Sequence, residues 1–375
     1  MGLAETGSFD GLRYARFTPP APQADQVQLE VRAAGLNFSD VLKAMGLYPG
    51  VTDKEPPLGI ECCGVVTRVG DQVRRFHPGD RVMGVAPHSL ATHAVTGEFA
   101  LVACPESLSD EQAAATPITF LTAHYALCHL ARLSRGERVL IHAAAGGVGQ
   151  AAIQIAQLAG AEIFATAGSA EKRKLLHSMG IEHVFSTRDL EFADEITRIT
   201  GGEGVDVVLN SLPGDAIDKS LGILAAYGRF LEIGKTDIYR NRMLGLLPFR
   251  NNLSYFAIDL DRMLRQRPRE IEQLWNEVVD RFHRGQYQPL PLTSFAAEQA
   301  AQAFRYMAQR RNVGKVVVAM KQRESAVASQ EAGPPLIRAD GAYLVTGGFG
   351  ALGHRVAQWL ADSEAERVAL LSRRP

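Results

Sequence analysis

The chain has 375 residues, 46% hydrophobic and 22% charged, and its 40 Lys and Arg against 41 Asp and Glu leave a net charge of -1. That length suits about two domains and a fragment, with enough apolar residue for cores that need no staples. The balanced charge excludes the basic footprint of a nucleic-acid binder, and no apolar run reaches the ~20 residues of a membrane helix. The four cysteines, Cys62, Cys63, Cys104 and Cys128, form no CxxC pair, which fits a reduced, cytoplasmic chain. No signal peptide is apparent at the N-terminus. Met1-Gly2 with Thr6 matches the myristoylation pattern, a match expected to be chance.

Residues 1–115 carry short strand patterns broken by turns. Val27 to Arg32 alternates apolar and polar, Gly64 to Gly70 is a strand between glycines, and Phe76 to Val82 is a turn feeding a third strand. Together they predict a small barrel. Ser109, with Gln112 three residues on, forms a capping box that starts a helix. Over 116–257 strands and helices alternate. The strands are Arg138 to His142, Glu162 to Thr166, Val184 to Thr187, Val205 to Asn210 and Arg229 to Gly234. Helices are expected over Gln150 to Leu158 and Glu171 to Met179. This rhythm predicts a doubly wound parallel sheet. Residues 258–320 hold an amphipathic helix around Leu274, Val278 and Phe282, a second around Ala300 and Phe304, and the strand Lys315 to Val318. Residues 321–340 are polar, contain Gly333-Pro334-Pro335 and read as a linker. A new strand starts at Tyr343 in the last segment, 341–375.

The most informative stretch runs from Val139 to Gln150, a strand, then His142-Ala143-Ala144-Ala145-Gly146-Gly147-Val148-Gly149, then a helix. Ala144 stands in the first glycine slot of the dinucleotide pattern, followed by Gly146 and Gly149. Small residues let the backbone approach a pyrophosphate, and the helix N-terminus offers it free N–H groups. After the next strand an NAD enzyme places an acid for the ribose hydroxyls. Here Ala167-Gly168-Ser169 is followed by Lys172 and Arg173. A hydroxyl and cations suit a 2′-phosphate, so NADPH is the expected cofactor. Lys172 is assigned to that phosphate and Arg188 is a further candidate; Arg173 reads equally well as part of a solvated helix face. Asn210 and Ser211, at a strand end, are expected to touch the cofactor.

Gly35-Leu36-Asn37-Phe38-Ser39-Asp40, Gly46-Leu47-Tyr48-Pro49-Gly50 and Leu58-Gly59-Ile60-Glu61 resemble the front domain of medium-chain reductases. Phe120-Leu121-Thr122-Ala123, the run Gly204 to Leu212, and Gly234-Lys235-Thr236-Asp237 are similar to the enoyl reductases of polyketide and fatty acid synthases. The resemblance spans about residues 10 to 320. It implies an α/β medium-chain reductase fold. A GroES-like barrel, built from 1–115 and completed by 258–320, packs on a Rossmann domain over 116–257. The active site is expected in the cleft between them, at the carboxyl ends of the Rossmann strands. Zinc-dependent relatives place Cys where Asn37 stands and His where Ile60 stands. No metal is therefore expected, and Cys62 and Cys63 are read as small core residues.

The resemblance further implies NADPH-dependent reduction of an enoyl thioester. Hydride goes to the β-carbon and a proton to the α-carbon, while the thioester carbonyl delocalises the developing charge. Lys235, after the strand ending at Gly234, is a candidate proton donor; the alternative is a solvated loop lysine. Asp259 matches an assisting position, and equally a helix cap before Leu260. Tyr48 is a candidate group facing the α-carbon. Asn37 and Thr122 are expected to line the pocket of nicotinamide and substrate, with Gly234 beside them. His124, His129 and His142 are read as structural.

Tyr343 to Gly353 repeats the strand and glycine-loop pattern with Gly348, Gly350 and Gly353. Val368 to Arg374 is its second strand, ending in arginines. It resembles the start of a synthase ketoreductase and is expected to be inactive here. The implied partners are an acyl carrier protein bearing the enoyl chain and the neighbouring ketoreductase and dehydratase domains. Arg240 and Arg242 are candidates to meet the acidic carrier. Two readings remain beside this one, a cyclopropane-forming variant and a free-standing quinone or enone reductase.

Overall fold

The computed structural model describes residues 1–3, 6–49, 56–320, 341–363 and 365–372. The expected linker, Gly50 and the terminal Arg373-Arg374 lie outside them. The chain divides into two compact units between Lys321 and Gln322.

In the first unit, β1 (Gly2–Leu3) and β2 (Leu12–Arg13) pair as a short ribbon. The alternation at Val27 lies inside the 11-residue β3 (Gln26–Leu36). Asn37 then opens α1 (Phe38–Ala44), with the Asp40 carboxylate accepting from the Asn37 N–H at 2.8 Å. Strands β4 (Glu61–Val69), β5 (Arg81–Val85), β6 (His93–Gly97) and β7 (Leu101–Ala103) follow. β3 pairs antiparallel with β4 along its length and with β6 along its first half. Cys62 and Cys63 are fully buried, in the barrel interior and the neighbouring core respectively.

The capping box at Ser109 forms, and starts the short α2 (Asp110–Ala114). α3 (Pro117–His124) continues into a π-helical turn over Tyr125–Leu130, which the sequence pattern did not reveal. The alternating region then runs β8 (Arg138–Ile141), α4 (Gly147–Ala159), β9 (Glu162–Ala167), α5 (Ala170–Ser178), β10 (His183–Ser186), α6 (Phe192–Ile199), β11 (Val205–Asn210), α7 (Asp215–Gly222) and β12 (Leu224–Glu232). The short α8 (Thr236–Tyr239) and β13 (Ser254–Ala257) complete it. These strands form one parallel sheet in the order β10-β9-β8-β11-β12-β13. The order reverses at β8, and ligands bind at such a switch point in open α/β sheets. The sheet strands are buried on both faces, as in Val139, Leu140, Ile141, Val207 and Val208, which explains their continuous apolar runs.

After β13 come α9 (Leu260–Gln266) and the amphipathic α10 (Pro268–His283). α10 packs against both α3 and the barrel segment 98–103. Phe120 of α3 meets Phe282 edge-on with centroids 4.9 Å apart. β14 (Leu292–Ala296), α11 (Ala300–Ala308) and β15 (Lys315–Ala319) return to the barrel, where β15 pairs antiparallel with the second half of β3. The fold is that of the medium-chain reductases, a GroES-like barrel beside a Rossmann sheet.

The second unit contains β16 (Ala342–Thr346), α12 (Ala351–Asp362) and β17 (Arg367–Leu371), with the two strands parallel. Among the described residues no helix is long and apolar enough to cross a membrane.

Candidate active site

The glycine loop leaves β8 through Ala143, which adopts a left-handed φ of 49°. The Gly146 N–H then donates to the Ala143 carbonyl at 2.9 Å, and Gly146 caps α4 in an extended conformation. A Cβ on Gly149 would stand 2.5 Å from the Ala144 Cα, and one on Gly147 would stand 2.7 Å from the Thr119 Cγ2. Both positions therefore need glycine for close packing. Ala144 is buried beneath the loop, and Val148 is half-buried. The N-terminus of this 13-residue helix faces the switch point, a cradle that fits a pyrophosphate.

At the next strand end, Ser169 caps α5, its Oγ accepting from the Lys172 N–H at 3.3 Å. The Lys172 ammonium donates to the Arg310 carbonyl at 2.7 Å. Burial, and then the Arg310 charge, lower its pKa. A neighbouring anion would relieve that repulsion. Arg173 folds back on the Ala167 carbonyl at 3.2 Å, whereas Arg188 is exposed. Arg310 belongs to the return segment, and sequence spacing gave no sign that it comes near Lys172.

Asn210 is buried and turned into the protein. Its Nδ2 donates to the Leu212 carbonyl at 2.9 Å and to Glu232 Oε2 at 2.6 Å. Ser211 beside it is half-buried. Glu232 also accepts from the Gly234 N–H at 2.6 Å. Burial pushes the Glu232 carboxyl up to about 7, against those two hydrogen bonds. Glu232 thus holds the turn that presents Lys235. The sequence signal was an acid ending a strand that is otherwise buried.

The cleft floor joins barrel to sheet. Asn37 Nδ2 donates to Glu61 Oε1 at 2.7 Å, and its Oδ1 accepts from Lys315 Nζ at 2.7 Å. Lys315 also pairs directly with Glu61, and both are buried. Glu61 Oε2 accepts from the Ile118 N–H at 2.8 Å, and the Gly314 N–H donates to the Ala145 carbonyl at 2.8 Å. Thr122 is buried on α3 above Thr119. The charge of Lys315, which opens an otherwise apolar strand, was a usable hint that it needed a buried partner.

The carboxyl ends of β12 and β13 bring together Lys235, Asp259 and Asp261, and Tyr48 reaches them from the barrel. Lys235 Nζ donates to the Tyr48 hydroxyl at 2.8 Å, Asp259 Oδ1 at 2.7 Å and Asp261 Oδ2 at 2.8 Å. All three N–H bonds of the ammonium are thereby used. The Tyr48 hydroxyl donates to Asp261 Oδ2 at 2.7 Å. Asp259 also caps α9 by accepting from the Arg262 N–H at 3.1 Å, the helix-cap reading of the sequence, while its other contact is to Lys235. Burial disfavours the Lys235 ammonium, but Asp261 and Asp259 outweigh it and raise its pKa. Burial and the Asp261 carboxylate raise that of Tyr48. Burial opposes the Asp261 charge, yet Lys235 holds its carboxyl below the ordinary value. Asp261 was missed in the sequence because one residue in the first turn of a helix looks like any other acid there.

Arg242 is already paired, with Asp215 at 2.9 Å and Asp218 at 2.6 Å. Its charge is compensated from α7, while Arg240 is exposed. His142 bonds to Thr166 at 3.0 Å and Ser220 at 2.9 Å inside the sheet core.

Family models match three segments: an alcohol dehydrogenase GroES-like domain over 23–116, a zinc-binding dehydrogenase over 147–279, and a KR domain over 341–375. A phenolphthiocerol/phthiocerol polyketide synthase of Mycobacterium tuberculosis is 45% identical over the whole chain. The chain spans 17% of that protein. The crystal structure of CurK enoyl reductase is 45% identical and superposes with a TM-score of 0.79, covering 85% of this chain and 98% of that one. This chain belongs to the polyketide synthase enoyl reductases. The CurF enoyl reductase cyclopropanase of curacin A biosynthesis is 34% identical, with a TM-score of 0.79 over 85% of this chain and 98% of that one. Escherichia coli quinone oxidoreductase complexed with NADPH is 26% identical, with a TM-score of 0.75 over 85% and 99%. In this enoyl reductase the reductase unit is followed by the start of a KR domain.

Proposed function

We propose that this chain reduces the α,β-double bond of an enoyl thioester, brought by an acyl carrier protein, with NADPH. The observation that carries this reading is the convergence of Tyr48, Lys235, Asp259 and Asp261 at the carboxyl edge of the same parallel sheet from which the glycine loop leaves. The loop fits the dinucleotide through Gly146, Gly147, Val148 and Gly149. Ser169 and Lys172, with Arg188 nearby in sequence, supply the 2′-phosphate end. Asn37, Thr122, Ser211 and Gly234 border the nicotinamide end, with Asn210 holding the turn beneath. When bound, NADPH supplies the hydride that attacks the β-carbon.

The electron pair of the double bond then moves toward the thioester oxygen, and the α-carbon takes a proton. One of the three engaged Lys235 N–H bonds points at the Tyr48 hydroxyl, which gives a relay from the ammonium to the α-carbon. The Tyr48 hydroxyl leaves Asp261, gives its proton to the α-carbon, and receives one from Lys235 Nζ at 2.8 Å. Asp259 and Asp261 hold the ammonium in place and reload it from solvent. The step is metal-free on this reading, because the Lys315 ammonium already occupies the cation position against Glu61 and Asn37 carries no thiolate.

The substrate fits a neighbouring dehydratase domain, since dehydration of a β-hydroxyacyl thioester yields an enoyl thioester. The carrier, the ketoreductase neighbour and a reducing cytoplasmic setting complete the proposal. The test is NADPH oxidation with crotonyl and 2-methylenoyl thioesters, with NADH and a simple quinone in parallel and products identified by mass. A saturated thioester formed with NADPH supports the reading; turnover of quinone alone overturns it. A γ-halogenated enoyl thioester distinguishes saturation from cyclopropane formation.

A further inference from the structure

Away from the cleft, two histidines and a glutamate converge where α3 passes into the π turn. His124 and His129 are five residues apart, a separation that an α-helix would place on different faces. The π turn over Tyr125–Leu130 closes on the fifth residue. Both imidazoles therefore meet the same carboxylate on α10. His124 Nε2 lies 2.9 Å, and His129 Nε2 2.7 Å, from Glu277 Oε2. The three ligand atoms all lie within 4.8 Å of one another, the one such cluster among the described residues.

We propose that His124, His129 and Glu277 form a binding site for a zinc-type divalent cation, separate from the catalytic cleft. Two imidazole nitrogens and one carboxylate oxygen suit zinc, with an open fourth position for water. Magnesium and calcium prefer all-oxygen sets and are disfavoured. The surroundings orient these ligands as an outer shell does around a metal. His124 is 2% exposed, and its Nδ1 lies 2.7 Å from the Tyr287 hydroxyl. A cation on Nε2 requires the His124 proton on Nδ1, where it donates to that hydroxyl. Gln273 Nε2 donates to Glu277 Oε1 at 2.9 Å, leaving Oε2 for the metal. His129 and Glu277 are partly exposed, so an ion can enter from solvent.

A bound ion would tie α3 to α10, and α10 packs in turn on the barrel segment 98–103. The competing account is that Glu277 simply pairs with two histidines and needs no ion. Zinc binding separates the two. The full chain is stripped with chelator, and zinc is titrated against a chromophoric chelator while Tm is followed. We expect one equivalent bound and a higher Tm in its presence. His129→Ala and Glu277→Gln should each weaken binding at least ~10-fold, and Tyr287→Phe by ~10-fold through the outer shell. The test rests on His129 and Glu277 because His124 is buried and its replacement risks the fold. Circular dichroism confirms that the variants fold. No zinc uptake overturns the proposal. So does uptake that survives in the folded His129→Ala/Glu277→Gln double variant, since the ion would then sit elsewhere, for example at His183 and Glu162.

Discussion

Gly146 and Gly350 open two helices with nearly the same backbone, at φ −79° and ψ 174° in the first and φ −80° and ψ 162° in the second. Each N–H donates at 2.9 Å to the carbonyl three residues back, on Ala143 or Gly347. Those residues share a left-handed φ, 49° and 72°. A Cβ on Gly149 would stand 2.5 Å from the Ala144 Cα, and one on Gly353 would stand 2.6 Å from the Gly348 Cα. The surroundings differ. Behind the first loop Leu140 and Ile153 are fully buried, whereas in the second unit Leu344 is 64% exposed and Leu352 80%. The spacing of small residues therefore determines a loop, while a flanking sheet is needed to bury it. The first loop also faces a second layer, through Thr119 and Lys315.

The largest effect should come from the cleft at the carboxyl edge of the first loop's sheet. Lys235→Ala should lower kcat by ~10³-fold, within the usual range of general acid catalysis, with the NADPH Kd little changed. Stopped-flow turnover with an enoyl thioester checks it. Equal losses in kcat and in NADPH affinity would mean that Lys235 only shapes the cofactor site. Next, Gly149→Val should weaken NADPH binding by ~10²-fold, because the new side chain meets backbone that cannot yield. Gly353→Val, in the same place of the second loop, should leave fluorescence-measured NADPH binding unchanged. If both variants lose affinity, the contrast between the loops fails.

Packing offers a smaller test. Ile153→Ala should cost about 3 kcal/mol of stability, as expected for a buried isoleucine. Leu352→Ala, at an 80% exposed position, should change it by less than about 0.5 kcal/mol. Urea unfolding monitored for each unit reads both values.

The same contrast explains what was legible in the sequence. The loop, its strand and its helix were readable because their rules are local, as were the alternation in β3 and the capping box at Ser109. Lys235 and Tyr48 came from a resemblance; their contact depends on a fold that places positions 48 and 235 together. Asp261, Glu232 and Arg310 had no local mark. Their roles come from neighbours 22 to 138 positions away, and no periodicity encodes such pairs. The π turn stayed hidden for another reason. Its residues carry no Gly, Pro or other local break, and the displaced bond, from the Ala131 N–H to the Ala126 carbonyl at 2.9 Å, has no mark in the spacing.

Glu232 provides the finest separation of the two regions, because a buried acid beneath a loop makes stability depend on pH. Its carboxyl titrates near 7 when folded, above the ordinary 4.5. Between those values the folded chain holds a proton that the unfolded chain has released. Stability from this group is therefore full below about pH 4.5 and is lost as pH rises toward 7, by about 3 kcal/mol at most. Glu277 has the opposite sign. Burial works against its charge, but hydrogen bonds from His124 and His129 hold it down to about 2, so its contribution fades as pH falls below 4.5. Urea unfolding of the first unit between pH 5 and 7.5 should show a downward slope that Glu232→Gln flattens, since an amide keeps the size and loses the titration. The second unit, followed separately, should show no change in slope with that substitution. A slope that persists in Glu232→Gln would assign the effect to another group and leave Glu232 charged beneath the Lys235 turn at neutral pH.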